Sequence, residues 1–251
     1  MSTNKIWNSF DEAVSDIPNG ATIMVFAWAL ASAGTPYNLI RALRDHGAKD
    51  LTIISHNFHM ARIPDLIGPL ALIDQAKKVI TTWSGSYGDK ESLLSQKVKR
   101  REIELELTSH GTLVERIRAG GVGIGGFYTR AGIGTILEKG KETKIIDGEK
   151  YMLETPLKAD FSLVRAHKAD KWGNLTYRGT ARGSNPVIAL ASRITIVEVD
   201  EIVEVGGLDP ENIITPGLFV HRIVAVPEGG LGSYSQRPSL IRKIFEKEQG
   251  V

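Results

Sequence analysis

The residues of this chain best equipped for chemistry are glycines and histidines. In the stretch ERIRAGGVGIGGFYTRAG (115–132), Gly121, Gly123 and Gly126 fit G-x-G-x-x-G. That fingerprint cradles a pyrophosphate only when a strand precedes the glycines and a helix follows, so that a helix N-terminus faces the phosphates. Here the order is reversed. Leu113–Arg118 has helical spacing, Phe127–Thr129 after the glycines is β-like, and Gly132 and Gly134 would break a following helix. A dinucleotide site is therefore rejected. A helix C-cap at Gly120-Gly121 followed by loop turns explains the first glycines. Seven glycines between residues 120 and 134 also mark backbone that passes close to another chain, a ligand or a strand.

The histidines offer acid–base or metal chemistry. His56 closes the apolar run Leu51–Ser55, and His59 and His110 follow. No carboxylate spacing supports a zinc site on His59 or His110, and no metal is expected. There is no cysteine, which removes disulfides, thiolate ligands and cysteine nucleophiles. No G-x-S-x-G elbow occurs, and Gly85-Ser86 stands in another context.

The elements that must position these residues are readable as a strand–helix alternation. Ser9, with Glu12 three residues on, reads as an N-cap for a first helix. Ala21–Ala27 reads as a buried strand, and Pro36–His46 as a helix ended by Gly47. Leu51–Ser55 and Lys78–Thr82 read as further strands. Connections of this length imply a parallel sheet. Asp147-Gly148 between apolar segments of Lys144–Leu153 is a hairpin signal. Phe161–Ala166, Asn174–Tyr177, Ile194–Val199 and Val220–Val226 read as strands, and Pro186–Ser192 as a helix. The expected fold is α/β: a single open, mostly parallel sheet flanked by helices, with a Gly-rich loop and a β-hairpin insertion. Residues 1–251 are expected to form one domain.

Composition agrees. The chain has 251 residues, 42% hydrophobic and 24% charged, with a net charge of +2. Its charges are interspersed, so the basic stripe of a nucleic-acid binder is missing. The longest apolar stretch, Ile23–Ala33, is about half a membrane span. No apolar signal core follows Met1. A cytoplasmic protein with neither nucleic-acid nor membrane partners is expected.

Several motifs in order resemble family I CoA-transferases, specifically the A-type chain of the 3-oxoacid group. They are Arg116–Gly123 with Phe127-Tyr128-Thr129 and Gly132-x-Gly134-Thr135, and Ala159–Asn174 with Tyr177–Arg182 and Asn185-Pro186. Asn19–Val25, Gly34–Ile40, Val197–Val203 and Pro216–Arg222 also agree. The resemblance covers about residues 9–225. It implies a subunit that moves CoA between an acyl-CoA and a 3-oxoacid-type carboxylate. The nucleophilic glutamate would come from a B subunit of similar fold, within a Ser-Glu-Asn-Gly-like motif that this chain lacks. The implied assembly is an A2B2-type heterotetramer, with coenzyme A as substrate and no permanently bound cofactor.

The departures from that pattern bear on the site. Phe26–Ala33 replaces the family's Gly-Gly-Phe-Gly, so bulky Phe26 and Trp28 either fill core or reshape the acyl pocket. His56 takes the position of an oxyanion-hole Asn, with Asn57 beside it; His56 would serve as oxyanion donor or general base. Gly125-Gly126 replaces Pro-Ala, and Gly183-Ser184 replaces Asn-Phe. Gly120, Gly121, Gly123, Phe127 and Thr129 are expected to form a loop near the CoA-ester site. Two alternatives keep the fold: a CoA-ester or C–C bond hydrolase subunit without the glutamyl-CoA intermediate, and a non-catalytic acyl-CoA-binding or scaffold subunit.

Overall fold

A computed structural model describes residues 4–26, 34–58, 68–83 and 91–230. In chain order the first elements are α1 (Phe10–Val14), β1 (Thr22–Val25), α2 (Tyr37–His46), β2 (Leu51–Ser55) and β3 (Ala76–Thr81). They are followed by α3 (Leu93–Lys99), β4 (Glu104–Leu107) and α4 (His110–Val122). Next come β5 (Phe127–Thr129), β6 (Thr143–Ile146), β7 (Glu149–Glu154), β8 (Ala159–Arg165), β9 (Lys168–Asp170) and β10 (Leu175–Thr176). The last are α5 (Asn185–Leu190), β11 (Ser192–Val199), β12 (Glu201–Val203) and β13 (Arg222–Ala225).

Seven strands form one sheet in the order β13-β11-β8-β1-β2-β3-β4. Every neighbouring pair in it is parallel. A parallel sheet is covered on both faces, and its strands are apolar on both. In β1 the alternation is explicit. Ile23 and Val25 join the core beneath α1 and α2, whereas Met24 and Phe26 join the core beneath α4 and α5.

Local signals act as expected at several places. The Ser9 hydroxyl accepts from the Glu12 N–H at 3.1 Å. Gly47 ends α2 at φ 82. Asp147 (φ 50) and Gly148 (φ 79) turn the β6–β7 hairpin, as a two-residue turn with both φ values positive requires. Other boundaries move. β3 runs from Ala76 to Thr81, so Thr82 lies past its end, and α5 stops at Leu190 because Ser192 opens β11. The strand expected over Asn174–Tyr177 shrinks to Leu175–Thr176 and pairs with β9 in a small three-stranded sheet. The short α3, β4, β9 and β12 add to the expected elements. β4 reads ELEL on a sheet edge, with no continuous apolar run to announce it.

The glycine stretch corrects the expected helix end. α4 continues through Gly120 and Gly121 to Val122, and its left-handed cap is Gly123 at φ 79. The two earlier glycines are packing residues. The chain after β7 crosses α4 here: Leu157 N–H donates to Arg116 O at 2.8 Å, and Arg116 Nε donates to Thr155 O at 2.8 Å. A Cβ on Gly120 would sit 1.9 Å from the Leu157 carbonyl oxygen, and one on Gly121 would sit 2.8 Å from Leu190 Cβ. β5 then pairs antiparallel with β7 in a separate three-stranded sheet, β5-β7-β6.

A buried polar network ties the carboxyl edge of the main sheet together. Glu198 on β11 is fully buried. Its Oε2 accepts from the N–H groups of Asn38 and Leu39 at 2.9 and 3.0 Å. It thereby caps α2, whose N-cap residue Pro36 gives no side-chain bond. Burial pushes the Glu198 carboxyl up to about 7, against the opposing pull of Arg165 and of those backbone N–H groups. Arg165, fully buried on β8, lies 3.7 Å from Glu198 Oε1 and pairs with Asp200. The Arg165 N–H donates to Asn185 Oδ1 at 3.1 Å. Asn185 Nδ2 in turn donates to Gly34 O and Ala181 O, both at 2.9 Å.

These contacts predict that Gly120→Ala lowers stability by on the order of 2 kcal/mol or more, because the Leu157 backbone must move. Gly125→Ala, with open space at its Cβ, changes stability by less than about 0.5 kcal/mol. Urea midpoints of the two variants check this; equal midpoints would contradict the packing role of Gly120.

Candidate functional site

The carboxyl ends of parallel strands are where an α/β sheet presents its loops to a ligand. Phe26 leaves β1 there, His56 leaves β2, Thr82 leaves β3, and β4 leads into the first turn of α4 at His110. Between them and the start of α5 lies a cavity of about 430 Å³, with Phe26, His56, His110, Val114, Gly183 and Ser184 among its walls. Its lining is mostly apolar, and among the described lining residues there is no Asp, Glu, Lys or Arg.

His56 is the buried polar centre of this cavity, 4% exposed. Its main chain is fixed by the end of β3. The His56 carbonyl is approached by three donors: Thr82 Oγ1 at 2.6 Å, Thr81 Oγ1 at 3.1 Å and the Thr82 N–H at 3.3 Å. Thr82 Oγ1 also lies 2.9 Å from His110 Nε2. A hydroxyl has one proton. Since that proton goes to the His56 carbonyl, the oxygen accepts from His110, and His110 carries its hydrogen on Nε2.

The His56 side chain is held on three sides. Its Nε2 is 2.8 Å from Ser184 Oγ. The Phe26 ring meets it edge-on with centroids 5.6 Å apart, and the His110 ring stacks on it at 5.8 Å. Burial, together with the nearby His110, lowers the His56 pKa from 6.5 to about 4. Near neutrality it is an uncharged imidazole. The first turn of α4 adds the positive end of a 13-residue helix, whose N-cap Ser109 makes no side-chain cap bond.

The packing explains why Gly183 is glycine. A Cβ there would lie 2.1 Å from Phe26 Cζ, so a bulky residue at 26 demands none at 183. Phe26 is 2% exposed and belongs to the core beneath α4 and α5. It is both core and cavity wall. Four positions that depart from the resembled pattern, Phe26, His56, Gly183 and Ser184, thus meet in one place.

The described ones among the other expected site residues do not line this cavity. Asn57 is buried beside His56 but is not part of the cavity lining. Trp28 and His59 lie outside the described residues. Gly120, Gly121, Gly123, Phe127 and Thr129 are not on the cavity wall. Gly120 is ten residues along α4 from His110, about 15 Å at 1.5 Å per residue. Sequence reasoning passes over Ser184 as a site residue and treats His110 only as a metal candidate. The signal that could have found Ser184 is its place, like His56, among the departures. No cluster of three metal-ligating side chains occurs among the described residues. A second, more polar cavity of about 550 Å³ lies around Lys168, Tyr177, Arg182 and Asp209. No helix among the described residues is long and apolar enough to cross a membrane.

Comparison with known proteins gives this geometry a setting. Residues 7–226 match the family model described as coenzyme A transferase. The chain is 45% identical over 236 residues to the A chain of 3-oxoadipate CoA-transferase from Pseudomonas putida, covering 93% of this chain and 98% of that one. It is 41% identical over 220 residues to the alpha chain of acetate CoA-transferase from Escherichia coli, covering 88% and 96%. Among solved structures, glutaconate coenzyme A-transferase from Acidaminococcus fermentans shares the fold with a TM-score of 0.72 at 20% identity, over 91% of this chain and 78% of that one. The decarboxylase AibA/AibB does so with a TM-score of 0.74 at 22% identity, over 98% and 95%.

The lowered pKa of His56 has a consequence for stability. Between about pH 6.5 and pH 4 the unfolded chain takes up a proton on this residue that the folded chain refuses. The His56 contribution is therefore present above about pH 6.5 and is lost as pH falls through that window. The chain should lose roughly 2 kcal/mol more stability between pH 7 and pH 5 than its His56→Asn variant does. Urea unfolding at the two pH values measures the difference; parallel losses would mean that His56 titrates normally.

Proposed function

The chain belongs to the coenzyme A transferase family, and from that premise we propose that it is the A-type chain of a heteromeric enzyme moving CoA between an acyl-CoA and a 3-oxoacid-type carboxylate. Coenzyme A enters and leaves as substrate, and no resident cofactor is required. The reacting acyl group sits in the cavity between Phe26, His56 and Ser184. The nucleophile is a glutamate of a B subunit of similar fold, in an A2B2 assembly.

One observation carries this reading: the cavity holds no carboxylate among its described lining residues. A reaction that passes through an acyl-carboxylate anhydride needs one, and none of the described lining residues supplies it. The glutamate attacks the thioester carbonyl and expels CoA, leaving an acyl-glutamyl anhydride. Returning CoA releases the first carboxylate and forms a glutamyl-CoA thioester, from which the second carboxylate takes the CoA. This chain's part is to seat the acyl group against a wall whose described residues carry no Asp, Glu, Lys or Arg. The His56–Ser184 pair and the first turn of α4 place hydrogen-bonding groups and positive potential toward the developing oxyanion. The Gly120–Thr129 segment, some distance along α4, then serves the partner contact rather than the acyl group.

Purified alone, the chain should show no CoA transfer from acetyl-CoA or succinyl-CoA to acetoacetate or 3-oxoadipate. Adding its B subunit should restore transfer, and native mass should match two copies of each chain. Transfer by this chain alone would overturn the reading. A complex that only hydrolyses the thioester, with a B subunit lacking the glutamate, would point to the hydrolase alternative.

A further inference from the structure

Ser184 Oγ lies 2.8 Å from His56 Nε2 on the wall of a cavity with no Asp, Glu, Lys or Arg among its described lining residues. Its backbone is fixed, because the Ser184 carbonyl accepts from the N–H groups of Val187 and Ile188 at 3.1 Å each. Asn185 beside it is fully buried and anchored to Gly34, Ala181 and Arg165. A hydroxyl held this firmly, against an imidazole, is placed to act on whatever enters. We infer that Ser184 is a catalytic residue, its hydroxyl donating a hydrogen bond to the thioester carbonyl oxygen of the acyl group as negative charge develops there.

The inference rests on the reading that this cavity seats the acyl group. It adds which side chain touches the reacting oxygen and which way the protons point. Two arrangements satisfy the 2.8 Å contact. In one, Ser184 donates to His56 and the pair acts as nucleophile and base. That route ends with an imidazolium among Phe26, His110 and the positive end of α4, with no carboxylate among the described lining residues to balance it. In the other, His56 Nε2–H donates to Ser184 Oγ, and the serine proton turns toward the cavity. No new cation is needed, and the donor strengthens as the carbonyl oxygen charges. The depressed basicity of His56 favours the same choice. The ligand class is a CoA thioester, recognised at its carbonyl oxygen and not through its far end.

The test uses the complex of this chain with its B subunit, with acetyl-CoA and acetoacetyl-CoA as donors. Ser184→Ala should lower kcat on the order of 10²-fold with both donors, the usual cost of one oxyanion donor, with KM little changed. Ser184→Thr, which keeps the hydroxyl, should recover most of that loss. Ser184→Ala combined with His56→Asn should lose little more than Ser184→Ala alone, since the two residues act as a unit. Unchanged kcat in an assembled Ser184→Ala complex would overturn the inference. So would a loss confined to acetoacetyl-CoA, which would mean that Ser184 reads the 3-oxo group. An acyl ester found on Ser184 by mass spectrometry of the denatured complex would also overturn it, as the mark of a nucleophile. Absence of transfer by the wild-type complex would instead count against the proposed function itself.

Discussion

The buried carboxylate of Glu198 is the constraint on which the carboxyl edge of this sheet depends. A carboxyl group in the core needs partners for its charge and its oxygens. Here the first N–H groups of α2 bond Oε2, and the guanidinium of Arg165 faces Oε1 from 3.7 Å as a countercharge. The same Arg165 offers its backbone N–H to Asn185, and Asn185 ties Gly34 to the turn at residue 181. Gly34, the start of α2 and the start of α5 are thereby fixed to one another. Ser184 lies one residue before Asn185, so its position follows from this network.

The cavity next to that network shows how separated substitutions become one structural unit. A phenylalanine at 26 excludes any side chain at 183, and the serine at 184 then finds the imidazole at 56. The described wall residues include no Asp, Glu, Lys or Arg, yet they place hydrogen-bonding groups within the cavity. That suits a carbonyl oxygen that gains charge only during reaction. The relatives this chain resembles are themselves named as subunits of CoA-transferases.

Much of this is legible in the sequence. The alternation of β-branched runs with capped helical patterns implies the parallel sheet, and Ser9, Gly47 and Asp147-Gly148 act as their types require. His56 is marked by its place after a strand. What cannot be read is convergence. Nothing local to Gly183-Ser184 says that it will face a histidine 128 residues earlier in the chain. Gly120 and Gly121 read wrongly as a cap because glycine both stops helices and lets other chains cross them. Only the position of Leu157 against α4 separates the two roles. β4, a four-residue edge strand in which two glutamates alternate with two leucines, is too short a pattern to be seen.

The central claim is that the acyl group sits between Phe26, His56 and Ser184. It is tested most directly by a CoA thioester whose acyl chain bears a photoreactive diazirine. After irradiation of the assembled complex, peptide mapping should place the label on cavity-wall residues of this chain, such as Val114 or Thr180, and acetyl-CoA should compete it away. Competed label confined to Gly123–Thr129, or to the wall around Tyr177 and Arg182, would contradict the account.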